Sequence, residues 1–217
     1  MTVRLGVSVE GPTEQEFCRD VLAPHLAGFG IVAESKVIVT KRVVSGPDHK
    51  GGAISVDRVV REIRPLLYSF DHVTTLYDFY KFGGRVPQEN VEQLCLRVAD
   101  RLNNPSNVTV YVQLFEFEAL LSSNPDKVGD YFASNDLANE MTRIVQQATD
   151  PERINDGETT APSKQLANLV DEHCSTRYDK KFHGPQLAAE IGLDAIRSRC
   201  QRFDSWLKKL ETLHDSA

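Results

Sequence analysis

Cysteine is scarce in this sequence, and its spacing excludes two classes of small stabilised fold. The four cysteines, Cys18, Cys95, Cys174 and Cys200, stand far apart among 217 residues and form no Cys-x-x-Cys pair. This spacing argues against a zinc knuckle or a disulfide framework. Cys18 and Cys95 fall on apolar helical faces, where we expect core thiols.

Long hydrophobic runs are also lacking. No apolar segment approaches the roughly 20 residues that a membrane helix requires. Glu10 interrupts the N-terminal segment before the apolar core of a signal peptide could form. We therefore expect a protein of the reducing cytoplasm that has no membrane association.

Basic charge is in deficit, with 25 Lys and Arg against 31 Asp and Glu and a formal net charge of −6. This balance disfavours a protein whose main task is to clamp nucleic acid regardless of sequence. It does not exclude an enzyme that acts on nucleic acid, because bound cations can neutralise a cluster of carboxylates. Residues 177–209 hold eight basic and four acidic side chains, so a local basic face is compatible with the acidic total.

The first part of the chain alternates between strand and helix patterns. Val3, Leu5, Val7 and Val9 show the two-residue period of a strand. A turn at Gly11-Pro12-Thr13 follows, and the spacing of Thr13 and Glu16 predicts a helix capping box. Further extended runs and helical patterns come in turn. The extended runs are Lys36 to Val44, Val73 to Phe79 and Val108 to Phe115, and the helical patterns are Val56 to Leu67 and Val91 to Leu102.

This alternation predicts an α/β fold with a mostly parallel four-stranded sheet flanked by helices. We expect it to cover residues 1–122. Residues 123–217 show mainly helical patterns, which predict a helical C-terminal subdomain packed on the first. Thr149 to Pro162 is polar and turn-rich and reads as a long loop, a kind of segment that is often functional.

Acidic residues stand at the ends of three predicted strands. Glu10 follows the first strand, Asp78 ends the third, and Glu116 and Glu118 follow the fourth. Ligands gather at the carboxyl edge of open parallel sheets, and carboxylate oxygens without thiolate or clustered histidine suit Mg²⁺ or Mn²⁺. On an extended backbone Glu116 and Glu118 would point to the same side, about 7 Å apart. The competing interpretation is that each acid is a solvated or helix-capping residue.

Several basic side chains follow in the second half of the chain. Lys180, Lys181 and His183 precede Gly184-Pro185, and Lys164 lies near a predicted helix start at Ser163. We expect contacts between these side chains and substrate phosphates. The alternative is that Lys180 to His183 form a solvated loop.

Motifs along nearly the whole chain resemble a known family, domain of unknown function 4276. They are the following segments: Val9-Glu10-Gly11-Pro12-Thr13-Glu14, Tyr77-Asp78-Phe79-Tyr80, Phe115-Glu116-Phe117-Glu118-Ala119-Leu120-Leu121, Pro151 to Gly157, Ala161-Pro162-Ser163-Lys164, His183-Gly184 and Ile191-Gly192-Leu193. That family is similar to the Toprim fold of topoisomerases, primases and the OLD (overcoming lysogenisation defect) nucleases. The resemblance therefore implies a Toprim-like sheet.

The resemblance also implies roles for individual residues. Glu10 matches the Toprim glutamate of acid/base chemistry or metal ligation, and Glu14 matches the second glutamate of the nuclease-type motif. Asp78 matches the first Asp of the Mg²⁺-binding Asp-x-Asp, but Tyr80 stands in place of the second. We expect Glu116 and Glu118 to supply the missing ligands beside Asp78.

These observations predict a nuclease that depends on Mg²⁺ or Mn²⁺ and hydrolyses phosphodiester bonds of DNA or RNA. By resemblance, such a protein serves as an effector of a prokaryotic anti-phage or toxin-like system and works with an ATPase partner. Two alternatives stay open. One is a non-catalytic nucleic-acid-binding or regulatory module on a degenerate Toprim scaffold, and the other is a phosphotransferase or nucleotide-binding α/β protein.

Overall fold

The structure is a computed structural model that describes residues 2–41, 49–50, 54–80, 82–148, 150–154 and 161–216. Its packing divides the chain into two compact units. The first unit is Met1–Gln113 together with Lys209–Ala217, and the second is Leu114–Lys208. The predicted boundary after residue 122 stays a prediction.

The first unit contains the strands. They are β1 (Val3–Val9), β2 (Ile31–Val37), β3 (Val39–Lys41), β4 (His49–Lys50), β5 (His72–Asp78), β6 (Val108–Thr109) and β7 (Val112–Gln113). The main sheet has the order β2-β1-β5-β6, with β7 also paired to β5, and all of these pairs are parallel. Strands β3 and β4 form a separate antiparallel pair. The expected α/β class with a mostly parallel sheet is confirmed.

Strand β1 lies at the centre of this sheet. It pairs with β2 from Val3 opposite Ile31 to Val9 opposite Val37, and with β5 along its other edge. All its residues except Arg4 are buried, since a central parallel strand is covered on both faces. Ser8, at one of the polar alternate positions, is also buried. The alternation in the sequence therefore reflects side-chain size and polarity and does not mark a face exposed to solvent.

Helices connect the strands of the first unit. They are α1 (Pro12–Phe17), α2 (Ala23–Ala27), α3 (Val56–Leu66) and α4 (Val91–Arg101), and a π-helical turn, Cys18–Leu22, joins α1 to α2. Their buried faces carry Phe17, Leu26, Ile63 and Leu94. Burying each such side chain contributes about 1.5–3 kcal/mol. Cys18 is buried as expected, whereas Cys95 is only half-buried.

Two predicted strands have different bounds in the structure. The second begins at Ile31 rather than Lys36, and Arg42 to Val44 lie outside the described residues. In β2 every second side chain is exposed to solvent, as is typical of a strand at the edge of a sheet. The hydrophobic pattern at its start is therefore weak, and the sequence did not reveal it. The fourth consists of two short segments, β6 and β7, and it ends at Gln113 because Phe115 has a left-handed backbone with φ of 72°.

The second unit is helical in its described part, as expected for the C-terminal region. Its helices are α5 (Glu118–Leu121), α6 (Pro125–Phe132), α7 (Asn135–Ala148), α8 (Pro162–His173), α9 (Lys180–Ile191) and α10 (Leu193–Arg199), together with most of α11 (Gln201–Glu211). The interpretation of Lys180 to His183 as a loop is wrong. Asp179 caps α9 through the backbone N–H groups of Lys181 and Phe182, and the helix continues through Pro185.

Candidate metal-binding and catalytic site

Glu10 and Asp78 lie together at the carboxyl edge of the sheet. Strand β1 ends one residue before Glu10, and the neighbouring parallel strand β5 ends at Asp78. The backbone N–H of Asp78 donates a hydrogen bond of 3.3 Å to Oε2 of Glu10. Asp78 is only 7% exposed. The register of two central strands therefore brings together two acids that are 68 residues apart in the chain.

Glu14 lies in the first turn of α1 and is buried. Its Oε2 accepts a 2.9 Å hydrogen bond from the backbone N–H of Gly11, the residue that caps the helix. The predicted capping box of Thr13 and Glu16 is wrong, because the helix begins at Pro12 and Glu16 instead forms an ion pair with Arg19. Burial and the charge of Glu14 together raise the pKa of the Cys18 thiol, so this thiol is not a nucleophile at neutral pH.

Behind the two strand ends, Ser8 of β1 and Tyr77 of β5 share a 2.5 Å hydrogen bond between their hydroxyl groups. Burial is the largest cause that raises the pKa of Tyr77. This hydroxyl therefore stays neutral and serves as a structural link between the strands. Tyr80, which occupies the position of a second Asp, is partly exposed just beyond the end of β5.

Glu116 and Glu118 belong to the second unit. The extended backbone expected for them is wrong, because Phe115 has a positive φ, Phe117 is helical and Glu118 begins α5. Oε2 of Glu116 accepts a 2.9 Å hydrogen bond from the backbone N–H of Ser163 in the first turn of α8. The placement of these two carboxylates beside Asp78 stays a prediction.

The carboxylate of Glu118 is fully buried and has a partner at each oxygen. The ammonium group of Lys180 lies 3.0 Å from Oε2, and the Tyr178 hydroxyl donates a 3.3 Å hydrogen bond to Oε1. Burial raises the pKa of Glu118, and the charge of Lys180 opposes this shift. Burial and the nearby Glu118 carboxylate raise the pKa of Tyr178. In this arrangement Lys180 is a counter-ion for Glu118.

The other expected phosphate contacts differ in exposure. Lys164 and Lys181 are exposed, and their role as phosphate ligands stays a prediction. His183 is half-buried, its Nδ1 accepts a 2.8 Å hydrogen bond from the backbone N–H of Asp179, and its ring stacks on Tyr178 at 5.9 Å. These contacts give His183 a structural position within α9.

Sequence reasoning missed Glu152 as a buried polar anchor. Its side chain is fully buried, and Oε2 accepts a 2.8 Å hydrogen bond from the backbone N–H of Arg202 in the first turn of α11. Burial raises the pKa of this carboxyl group. The sequence did contain an indication of this contact. Cys200 and Gln201, at the start of α11, are not preferred N-cap residues, so the first N–H groups of the helix need a distant acceptor. Helix α8 shows the same pattern, with Ala161 at its cap position and Glu116 as the distant acceptor.

The described residues contain no group of three or more histidine, cysteine, aspartate or glutamate side chains arranged to hold a metal ion. Mg²⁺, however, commonly binds through one or two carboxylates and completes its shell with waters and substrate phosphates. Glu10 and Asp78 match this hard oxygen chemistry. Their role as ligands of the expected ion stays a prediction.

The parallel sheet, its order and the helical C-terminal part define an α/β protein with a helical C-terminal region, and its likeness to the Toprim fold stays a prediction. Residues 9–211 match the family described as Domain of unknown function (DUF4276), and the chain therefore belongs to this family. No curated protein matches the chain. Among the described residues, no helix has both the length and the apolar character needed to cross a membrane.

Two solved structures are similar to the chain, both of the C-terminal region of the OLD protein of Xanthomonas campestris pv. campestris. The structure phased with iodine has 15% sequence identity and a TM-score of 0.42, and the match covers 98% of each chain. The structure phased with platinum has 16% identity and a TM-score of 0.40, over 98% of this chain and 97% of the other.

Proposed function

We propose that this protein is a divalent-metal-dependent nuclease that hydrolyses phosphodiester bonds of DNA or RNA. The observation that supports the proposal most is the meeting of Glu10 and Asp78 at the ends of neighbouring parallel strands. Two carboxylates at such an edge repel one another unless a cation or a proton lies between them. Ligands bind open parallel sheets at the carboxyl ends of the strands. A cation bound there would account for the presence of both acids at this edge.

In this proposal Asp78 holds Mg²⁺ or Mn²⁺, and Glu10 is either a ligand or the group that takes the proton from the attacking water. The ion, when bound, supplies charge stabilisation at the scissile phosphate. Glu14 fixes the turn that carries Glu10, through Gly11, and has the proposed role of orienting water. Glu116 and Glu118 remain proposed ligands, and Lys164, Lys180, Lys181 and His183 remain proposed phosphate contacts.

A cleavage assay tests the strand-end pair. The purified protein is incubated with mixed DNA and RNA and with Mg²⁺, Mn²⁺ or EDTA. We expect metal-dependent cleavage that falls about 100-fold or more in Glu10→Gln and Asp78→Asn. Asp71→Asn is the matched control, because Asp71 directly precedes β5 at its opposite end and pairs with Arg4. Undiminished cleavage in both site variants would reject the site.

The proposal includes a cytoplasmic role as an effector of a prokaryotic anti-phage or toxin-like system with an ATPase partner. The net charge of −6 supports it, because an acidic protein binds nucleic acid poorly without help. The cleavage assay is therefore repeated with any ATPase that is encoded beside this chain. We expect the partner to increase cleavage by the wild-type protein and not by Asp78→Asn.

A second candidate function is a non-catalytic nucleic-acid-binding or regulatory module. Tyr80 at the position of a second Asp favours it, together with the lack of a three-ligand group in the described part of the chain. Calorimetric titration with Mn²⁺ separates the two functions. Nucleic-acid binding with neither Mn²⁺ binding nor cleavage favours the module, whereas Mn²⁺ binding that weakens in Asp78→Asn favours the nuclease.

A further inference from the structure

Four aromatic side chains of the second unit surround His183. The ring centroid of His183 lies 5.1 Å from that of Phe182, 5.3 Å from Phe132, 5.9 Å from Tyr178 and 6.0 Å from Tyr131. Tyr131 and Phe132 also contact each other, with their centroids 5.0 Å apart. None of these five residues is fully buried. Together they form an aromatic cluster at the surface of the second unit.

Phe182 is the most exposed member of the aromatic cluster, at 60%. A single exposed apolar residue is ordinary on a protein surface and needs no explanation. Phe182 differs from such a residue because its ring continues a surface made of four further rings. An exposed ring supported in this way can serve as a platform on which a planar group stacks.

Hydrogen bonds hold the backbone that carries Phe182 in place. The carboxylate of Asp179 accepts a 3.3 Å hydrogen bond from the backbone N–H of Phe182, and Nδ1 of His183 accepts one of 2.8 Å from the backbone N–H of Asp179. The hydroxyl of Tyr131 donates a 2.6 Å hydrogen bond to Gln186 and so links α6 to α9. Because the platform is already ordered, a ligand that binds it does not have to order it.

Two lysines flank the aromatic cluster. Lys181 directly precedes Phe182, and Lys127 lies four residues before Tyr131 on α6, hence on the same side of that helix. Both lysines are exposed, and among the described residues neither ammonium group has an ion-pair partner. Cations beside an exposed aromatic ring are the elements that bind a nucleic-acid strand. The phosphates contact the cations, and an unpaired base stacks on the ring.

Nearby acids restrict where such a base would bind. Burial and the charge of Glu190 raise the pKa of Tyr131, so a carboxylate lies close to the Tyr131 ring and repels phosphate there. The carboxylate of Asp179, near Phe182, already accepts two backbone N–H groups at the start of α9, which offset its charge. The Phe182 side of the cluster, next to Lys181, is therefore the better place for a nucleotide.

We propose that the aromatic cluster binds an unpaired base of a single-stranded nucleic acid. The base stacks on Phe182, and Lys181 contacts a neighbouring phosphate. Bases inside a duplex are stacked on one another, so a duplex has to unstack before it offers a base to this ring. The inference rests on the proposed action on nucleic acid, and it specifies the form of the substrate as single-stranded or locally unpaired.

Fluorescence anisotropy of the full chain with labelled oligonucleotides tests the inference. Single strands of about 12 nucleotides and the matched duplex are titrated at about 50 mM salt, which strengthens phosphate contacts, and in EDTA, which prevents metal-dependent cleavage. We expect the single strand to bind at least about tenfold more tightly than the duplex.

The ring of Phe182 is tested by substitution. Phe182→Ala should weaken single-strand binding about fivefold to 100-fold, the effect of losing one stacked base, whereas Phe182→Tyr should retain it. Tyr68→Ala is the matched control and should leave binding unchanged. Tyr68 is 92% exposed in the first unit and contacts no other ring among the described residues.

Phe182→Trp provides a spectroscopic readout of direct stacking. The single native tryptophan, Trp206, is 3% exposed, so a change of emission reports on position 182. We expect the single strand to quench this emission and to leave that of Tyr68→Trp unchanged. Lys181→Gln should also reduce the slope of log K against log salt concentration by about 0.7, the value for one phosphate of a single strand.

The inference is overturned if no oligonucleotide binds at low salt, if the duplex binds as tightly as the single strand, or if Phe182→Ala binds the single strand as well as wild type. If Phe182→Ala loses only the stimulation of cleavage by an ATPase, the cluster is a protein interface and the inference also fails. Cleavage plays no part in the binding readouts. A protein that binds single strands through Phe182 without cleaving them contradicts the nuclease proposal alone.

Discussion

Replacing Lys180 by methionine tests the buried ion pair of the second unit. The change keeps most of the aliphatic stem but removes the ammonium group that lies 3.0 Å from Oε2 of Glu118. The Glu118 side chain is fully buried, so water cannot take over the role of the lysine. The Tyr178 hydroxyl, at 3.3 Å from Oε1, stays in place as a neutral donor.

The expected cost follows from this burial. Removing one partner of a buried ion pair typically costs 3–5 kcal/mol. Lys180 is 37% exposed, so solvent already screens the pair, and we expect about 2–3 kcal/mol at pH 8. Lys181→Met, a substitution of the exposed neighbour, should change the free energy of unfolding by less than about 0.5 kcal/mol.

The cost should depend on pH in a defined direction. Burial raises the pKa of Glu118 in the folded protein, and Lys180 opposes that shift. Without the lysine the folded-state pKa of Glu118 rises further. The stability that Lys180→Met loses is therefore small below the unfolded pKa of about 4.3, and it grows as the pH rises through the folded-state pKa. Urea unfolding at pH 5 and pH 8 measures the difference.

A double variant completes this test. Glu118→Gln removes the charge that Lys180→Met leaves unpaired, so the two substitutions together should recover most of the stability lost by the single Lys180 variant. An equal loss at both pH values, or a double variant no more stable than Lys180→Met, would refute the reasoning.

Two further predictions concern the first unit. Arg97 forms two 2.7 Å hydrogen bonds with the buried carboxylate of Glu89 and lowers the pKa of that group. The stability that this ion pair contributes is present above the unfolded pKa of about 4.3 and is lost as the pH falls through the lowered folded pKa. Arg97→Met should therefore cost about 1–3 kcal/mol at pH 7 and less at pH 3 in urea unfolding. An equal cost at both pH values would contradict this prediction. Glu14→Ala should lower the stability by about 1 kcal/mol in thermal unfolding, because the Gly11 N–H loses its acceptor. Glu14→Gln should recover part of this loss. An alanine variant as stable as the wild type would contradict the capping role.

Local patterns were sufficient to predict much of the first unit. The β1 pattern and the run that ends at Asp78 both correspond to strands of the structure. Since parallel strands end at the same edge of a sheet, the placement of their terminal acids at that edge was also predictable. The end of the fourth strand was not predictable in this way. Its composition gives no indication of the positive φ of Phe115, which turns the chain before Glu116.

Helix α9 illustrates a conflict between local preference and tertiary packing. Gly184 and Pro185 both disfavour a helix interior, so the sequence favours a loop there. Both residues are buried within the helix, together with Leu187 and Ala188. Packing of this face compensates for the poor propensity, and it also positions Lys180 beside Glu118.

By itself, the sequence determined the class of the sheet and the placement of Glu10 and Asp78 at the same edge of it, because both depend on periodicity and on the parallel direction of the strands. Only the tertiary structure decided which groups the carboxylates of Glu116, Glu118 and Glu152 contact. Two of these carboxylates accept backbone N–H groups, 47 and 50 residues later in the chain, from the first turns of helices, and the third binds a lysine 62 residues away. A buried charge takes whichever partner the fold brings within hydrogen-bonding distance, and local sequence patterns do not encode contacts of that separation.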